Sequence, residues 1–109
     1  MFEMKAGDTK YIVVSVVNDA GEPVVISGAS IKWIIARKRN SSHLVTKTVG
    51  SGITITGASE FTVKLNPSDT LSLFGEYYNE AEIIESGTSD VSTLIEDKVT
   101  ITPAAIANL

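Results

Sequence analysis

Apolar and polar residues alternate with a period of two along most of this chain. Ile53–Thr56 reads ITIT, and Phe61–Leu65 reads FTVKL, with Phe61, Val63 and Leu65 on one side. Thr9–Val17 (TKYIVVSVV) is β-branched and aromatic, with no glycine or proline inside it. Such alternation predicts half-buried antiparallel strands. Ser30–Arg37 (SIKWIIAR) predicts another strand, with Ile31, Trp33 and Ile35 inward and Lys32, Ile34 and Ala36 outward. His43–Val49 returns across the polar KRNSS loop, and Gly50–Gly52 breaks it. Glu76–Glu85 admits two phases. Burying Tyr78, Glu80, Glu82 and Ile84 would strand two carboxylates at several kcal/mol each, so Tyr77, Asn79, Ala81 and Ile83 are expected inside. Val91–Thr102 is the last expected strand, interrupted at Glu96–Asp97 and ended by Pro103; the tail PAAIANL has weak helical character. The clusters NDAGEP (Asn18–Pro23), GASE and SGTSD supply the turns.

One segment departs from the alternation: NPSDTLSLFG, from Asn66 to Gly75. Pro67 disfavours helix at the residue before it and suits the first position of a helical turn. Asn66 or Ser68 can cap that turn, and Asp69 suits its positive end. Leu71, Leu73 and Phe74 are expected to close the end of the core, and Gly75 to let the chain reverse. Tyr77, two residues later, has the spacing of a tyrosine corner, whose hydroxyl bonds to upstream backbone. With Trp33 on a central strand, these features predict an all-β chain. The expected fold is an immunoglobulin-like antiparallel β-sandwich of about seven strands, with one short helical turn near Pro67–Phe74. The 109 residues are expected to form a single domain, 1–109, and show no internal repeat or dividing linker.

Composition narrows the function. The net charge is −4 and the pI about 4.8, which argues against binding a phosphate backbone. The basic run Arg37–Arg39 reads as a solvated hairpin tip. No cysteine is present, so there is no disulfide framework and no thiolate metal site. No secretory signal opens the sequence, and no apolar run approaches the ~20 residues that span a bilayer. Neither nucleic acid nor membrane is an expected partner, and cytosolic synthesis is expected.

Candidate chemistry is sparse. His43 is the sole histidine, and Leu44 and Val45 follow it where metal-binding carboxylates would be needed. No G-x-S-x-G elbow, phosphate loop or calcium loop is present. Of Glu76, Glu80, Glu82 and Glu85, the first three fall on the outer side of one strand, best explained as a solvated surface. No catalytic, cofactor-binding or metal-binding residue is therefore assigned. Tyr78, exposed among Glu80 and Glu82, is a candidate interface anchor. Ile34 and Ala36, outward on the neighbouring strand, would extend it as an apolar patch covered by a second copy or a partner.

Several segments resemble the small immunoglobulin-like domains of tailed-phage structural proteins, and are similar to the N-terminal domain of baseplate upper proteins. They are GDT at Gly7–Thr9, NDAGEPVVISGASIKW at Asn18–Trp33, GITIT at Gly52–Thr56, FTVKLNPSDTLSLFGEYYNEAEI at Phe61–Ile83, and KVTITPAAI at Lys98–Ile106. The likeness covers nearly the whole chain and lies in its rhythm. A glycine turn common in such domains is replaced here by Glu96–Asp97. The resemblance implies a non-enzymatic virion protein that contacts other virion proteins or itself as a homo-oligomer. A free-standing copy would serve as a tail or baseplate component or as a capsid decoration. The alternative is an adhesion or carbohydrate-binding β-sandwich module, for which only Tyr11, Tyr78 and Phe2 are available as exposed aromatics.

Overall fold

The computed structural model describes residues 2–84 and 91–103, with Ile95 through its backbone alone. The strands are β1 (Phe2–Lys5), β2 (Lys10–Ser15), β3 (Ser30–Ala36), β4 (His43–Val49), β5 (Gly52–Gly57), β6 (Glu60–Leu65), β7 (Gly75–Ile84) and β8 (Val91–Thr102). One helical turn, α1 (Pro67–Thr70), lies between β6 and β7. The protein is all-β, as its alternation predicts. The eight described strands join one sheet in the order β1-β8-β7-β3-β4-β5-β6-β2, curled until it nearly closes into a barrel. Glu85, the SGTSD turn and the tail after Pro103 lie outside the described residues.

Most neighbours pair antiparallel, but two pairs do not. β1, which the alternation does not announce, runs parallel to the end of β8. β4 meets β5 parallel over only Thr48↔Gly52 and Val49↔Ile53, at the sharp corner around Gly50–Ser51. The long β7–β8 hairpin runs unbroken through Glu96–Asp97, contrary to the expected interruption. Its register shift falls instead between Ala81 and Glu82, with Leu94 as the extra residue on β8. Asp97 is held in the strand on two sides. Its carboxylate accepts the Lys98 N–H at 2.7 Å, and its carbonyl accepts the Asn79 amide at 3.1 Å.

The expected strand phases hold. Ile31, Trp33 and Ile35 fill the interior with Phe61, Val63 and Leu65, and Tyr77, Ala81 and Ile83 join them. Ile53, Val99 and Ile101 complete the same cluster. Burying a side chain of this kind contributes about 1.5–3 kcal/mol, so the interior dominates the fold's stability. Asn79, in the same inward phase, is tolerated because its amide is bonded to Asp97.

α1 closes one end of the barrel. Asn66 precedes it in an extended conformation, and the Asp69 carboxylate accepts the Asn66 backbone N–H at 2.7 Å. Thr70 is fully buried, and its hydroxyl accepts the Gly7 N–H at 3.0 Å, tying the turn to the β1–β2 connection. Leu73 packs on the core, but Leu71 and Phe74 remain 40% and 54% exposed, against expectation. The reason is length: α1 is four residues long and Leu71 is already its C-cap, so no helix continues to Phe74 and their three-residue spacing does not select one face.

A cation completes this end. Lys47 points inward from β4 and meets Asp69 at 2.8 Å, both side chains being largely buried. Its stem lies against Gly52, where a Cβ would overlap the Lys47 Cδ. Gly52 also has φ +100°, a conformation disfavoured for residues with a Cβ. Glycine is therefore required there twice over.

Candidate functional site

β7 sits between β3 and β8, so its outward residues lie at the centre of a three-strand surface. Tyr78 faces Ala36 on β3 and Lys98 on β8. Glu80 faces Ile34 and Glu96, while Glu82 faces Lys32 and Thr93. Glu80 and Glu96 are thus like charges directly opposite, an arrangement that costs stability unless each finds a partner.

Each carboxylate has one. The Tyr78 hydroxyl donates to the Glu80 carboxylate at 2.9 Å, and Arg39 pairs with Glu96. The same guanidinium lies 5.5 Å from the centre of the Tyr78 ring. A cation over a tyrosine face is worth about 0.5–1 kcal/mol at an exposed site. Burial, then the hydrogen bond to Glu80 and its negative charge, raise the Tyr78 pKa above the ordinary tyrosine value, while Arg39 works in the opposite direction.

Arg39 owes its position to the KRNSS turn. Asn40 takes a positive φ of 65°, which asparagine tolerates better than most residues. Ser41 braces the turn from the other side. Its hydroxyl accepts the Lys38 N–H at 3.1 Å and donates to the Lys38 carbonyl at 2.7 Å. The basic run is solvent-exposed, as expected of a hairpin tip, yet two of its three members lie over aromatic rings. Arg37 is 5.8 Å from the Tyr77 ring centre. Arg39 and Glu96 read from sequence as part of a solvated tip and of a strand break, not as interface candidates. The three-residue run Arg37–Arg39 was the only signal, and nothing in it marks β8 as the partner.

Ile34 and Ala36 require a correction. They point outward as expected, but are only 8% and 1% exposed. Their own neighbours cover them: Ile34 lies with Lys32, His43, Glu80 and Glu82 around a small cavity of about 190 Å³, and Ala36 lies beside Tyr78. Long polar side chains bury apolar surface along their stems while keeping their ends in water. The apolar patch is therefore closed over within the chain. What remains at the surface is the half-buried polar set of Tyr78, Glu80 and Glu82 with exposed Arg39. His43 lines the same small cavity. Among the described residues no three histidine, aspartate or glutamate side chains gather as metal ligands.

This geometry presents a tyrosine ring, a guanidinium and two carboxylates, each held by another member of the set. No family model matches this chain, and no curated protein matches it.

Proposed function

We propose that the chain is a non-enzymatic structural protein of a bacteriophage particle, an immunoglobulin-like β-sandwich domain that mediates protein–protein contacts in virion assembly. Its place is the tail or baseplate, or the capsid surface as a decoration, and its localisation is the virion. The resemblance in segment rhythm motivates the reading. The tyrosine corner supports its immunoglobulin-like part: the Tyr77 hydroxyl donates to the Phe74 carbonyl and accepts the Phe74 N–H, both at 3.0 Å.

The observation that carries the contact role is the ordered outer surface of β7. Tyr78 is fixed by Glu80 beneath Arg39, and Arg39 is fixed by Glu96. Interface anchors are enriched in tyrosine and arginine, and side chains already held in one geometry lose less entropy on binding. Co-sedimentation with purified particles is the direct test. The intact protein is expected in the particle pellet, and Arg39→Ala with Tyr78→Ala is expected to release it at least tenfold. Recovery only in the particle-free fraction would exclude a virion role.

A further inference from the structure

The barrel's open seam carries an inference that does not depend on the phage reading. β2 pairs with β6 on one side and with no described strand on the other. The Val16 N–H bonds to the Ser59 carbonyl at 2.8 Å, which fixes the ladder's phase. By the alternation of an antiparallel ladder, Ile12, Val14 and Val16 direct their backbone groups to the β6 side. Tyr11, Val13 and Ser15 direct theirs to the seam. Across the seam, β1 pairs only with Val99–Thr102 of β8, so Val91–Lys98 has β7 on one side and no described strand on the other.

Two cavities follow this seam, each lined from both of its sides. One, of about 330 Å³, lies between Ile12 and Val14 of β2, Phe2 of β1, and Asn79 and Asp97 of the hairpin. The second, of about 290 Å³, lies between Val16 and Val24 on one side and Ile83 and Leu94 on the other, with Asp19 at its rim. At the opposite end, Lys10 reaches across to lie 5.6 Å from the Phe2 ring centre. Strand edges are ordinarily blunted by proline, bulges or inward-pointing charge. β2 (KYIVVS) has no proline or bulge along its length, and its inward residues Ile12 and Val14 are apolar.

We propose that this seam is a strand-addition site, taking an extended segment of a partner protein with apolar residues at alternate positions and a basic end. Backbone groups of Tyr11, Val13 and Ser15 supply the ladder, the two cavities take alternate side chains, and the basic end meets Asp19. Charge selects the occupant. Asp19 has no described partner, and the chain carries a net charge of −4. A second copy would bring that same charge to the seam.

The test uses acetyl-VTVTVKK-amide and its counterpart acetyl-VTVTVEE-amide as probes, read by amide hydrogen exchange on the intact protein. The lysine peptide is expected to slow exchange at Tyr11, Val13 and Ser15 by about tenfold or more, and the glutamate peptide by much less. Ser15→Pro removes a donor on the seam side, where an edge strand tolerates proline, and is expected to abolish the effect. Asp19→Lys leaves the ladder intact and is expected to reverse the preference between the peptides. Three results would overturn the proposal. One is no protection by either peptide. Another is protection of these amides in dilute protein alone, which means that the seam is already closed. The third is protection that rises with protein concentration without peptide, which assigns the edge to a second copy.

Discussion

Tyr77 and Tyr78 are consecutive residues of one strand, and each lies beneath a guanidinium, yet they serve opposite ends. Tyr77 points into the barrel and its hydroxyl closes on the backbone of Phe74. Tyr78 points outward and its hydroxyl closes on the side chain of Glu80. A bond to backbone, in a corner already fixed by α1, holds the chain's path. A bond between side chains on a surface holds only their rotamers. Alternation along a single strand therefore separates scaffold from contact surface within two residues. The closed end around Lys47, Asp69 and Tyr77 should be costly to disturb, and the outer cluster around Tyr78 should be cheap.

The largest effect is expected at Gly52. Gly52→Ala places a Cβ in the path of the Lys47 stem and forces a positive φ on a residue that resists it. Strained backbone costs of order 1–3 kcal/mol, and displacing Lys47 leaves Asp69 without its cation in a mostly buried setting. A loss of about 2–4 kcal/mol in urea unfolding is expected. A loss below about 1 kcal/mol would mean that Lys47 reroutes freely and that the ion pair does not pin the end.

Tyr77→Phe comes next. It removes one hydroxyl and leaves the Phe74 N–H and carbonyl without that partner, in a part-buried corner. Losing hydrogen bonds of this part-buried kind costs about 0.5–1.5 kcal/mol each. Tyr78→Phe removes an equal hydroxyl from the surface and is expected to change stability by no more than about 0.5 kcal/mol. Equal losses for the two variants, measured by the same denaturant titration, would erase the distinction between scaffold and surface.

The scaffold was the more legible of the two. The inward phases of β3, β6 and β7 follow from local alternation and from the cost of burying Glu80 and Glu82, so the sequence alone settles them. The corner was legible for the same reason, since Pro67, Gly75 and Tyr77 act over a few residues. β1 was not, because four residues pairing parallel to a strand at the far end of the chain leave no local pattern. Lys47 was not, because a lysine reads as outward until Asp69 is known to meet it. Glu96–Asp97 read as a break because the pair stands where a glycine turn is common in the similar domains, while the partners that meet these residues, Asn79 on β7 and Arg39 from a loop, are distant in sequence. The outer cluster was half visible: Tyr78, Glu80 and Glu82 share a strand face, but Arg39 arrives from a loop. Ile34 and Ala36 read as exposed because alternation gives direction and says nothing of the long side chains that fold over them.

The smallest expected effect is also the most specific to the outer cluster. Burial and Glu80 raise the Tyr78 pKa, so the folded protein holds this proton more firmly than the unfolded chain does. The sign follows by linkage. The stability that Tyr78 contributes is fully present below the unfolded tyrosine value of about 10, and is lost as pH rises through the higher folded value. The ring carbon bearing the Tyr78 hydroxyl, followed by NMR against pH, reports this titration alone. Glu80→Gln removes the negative charge and is expected to move the midpoint down toward the ordinary value. Arg39→Ala removes the opposing cation and is expected to move it further up. Opposite shifts from two neighbours of one ring require that both face it in solution. A midpoint indifferent to both substitutions would show that the surface arrangement around Tyr78 does not persist, while leaving Tyr77 and its corner untouched.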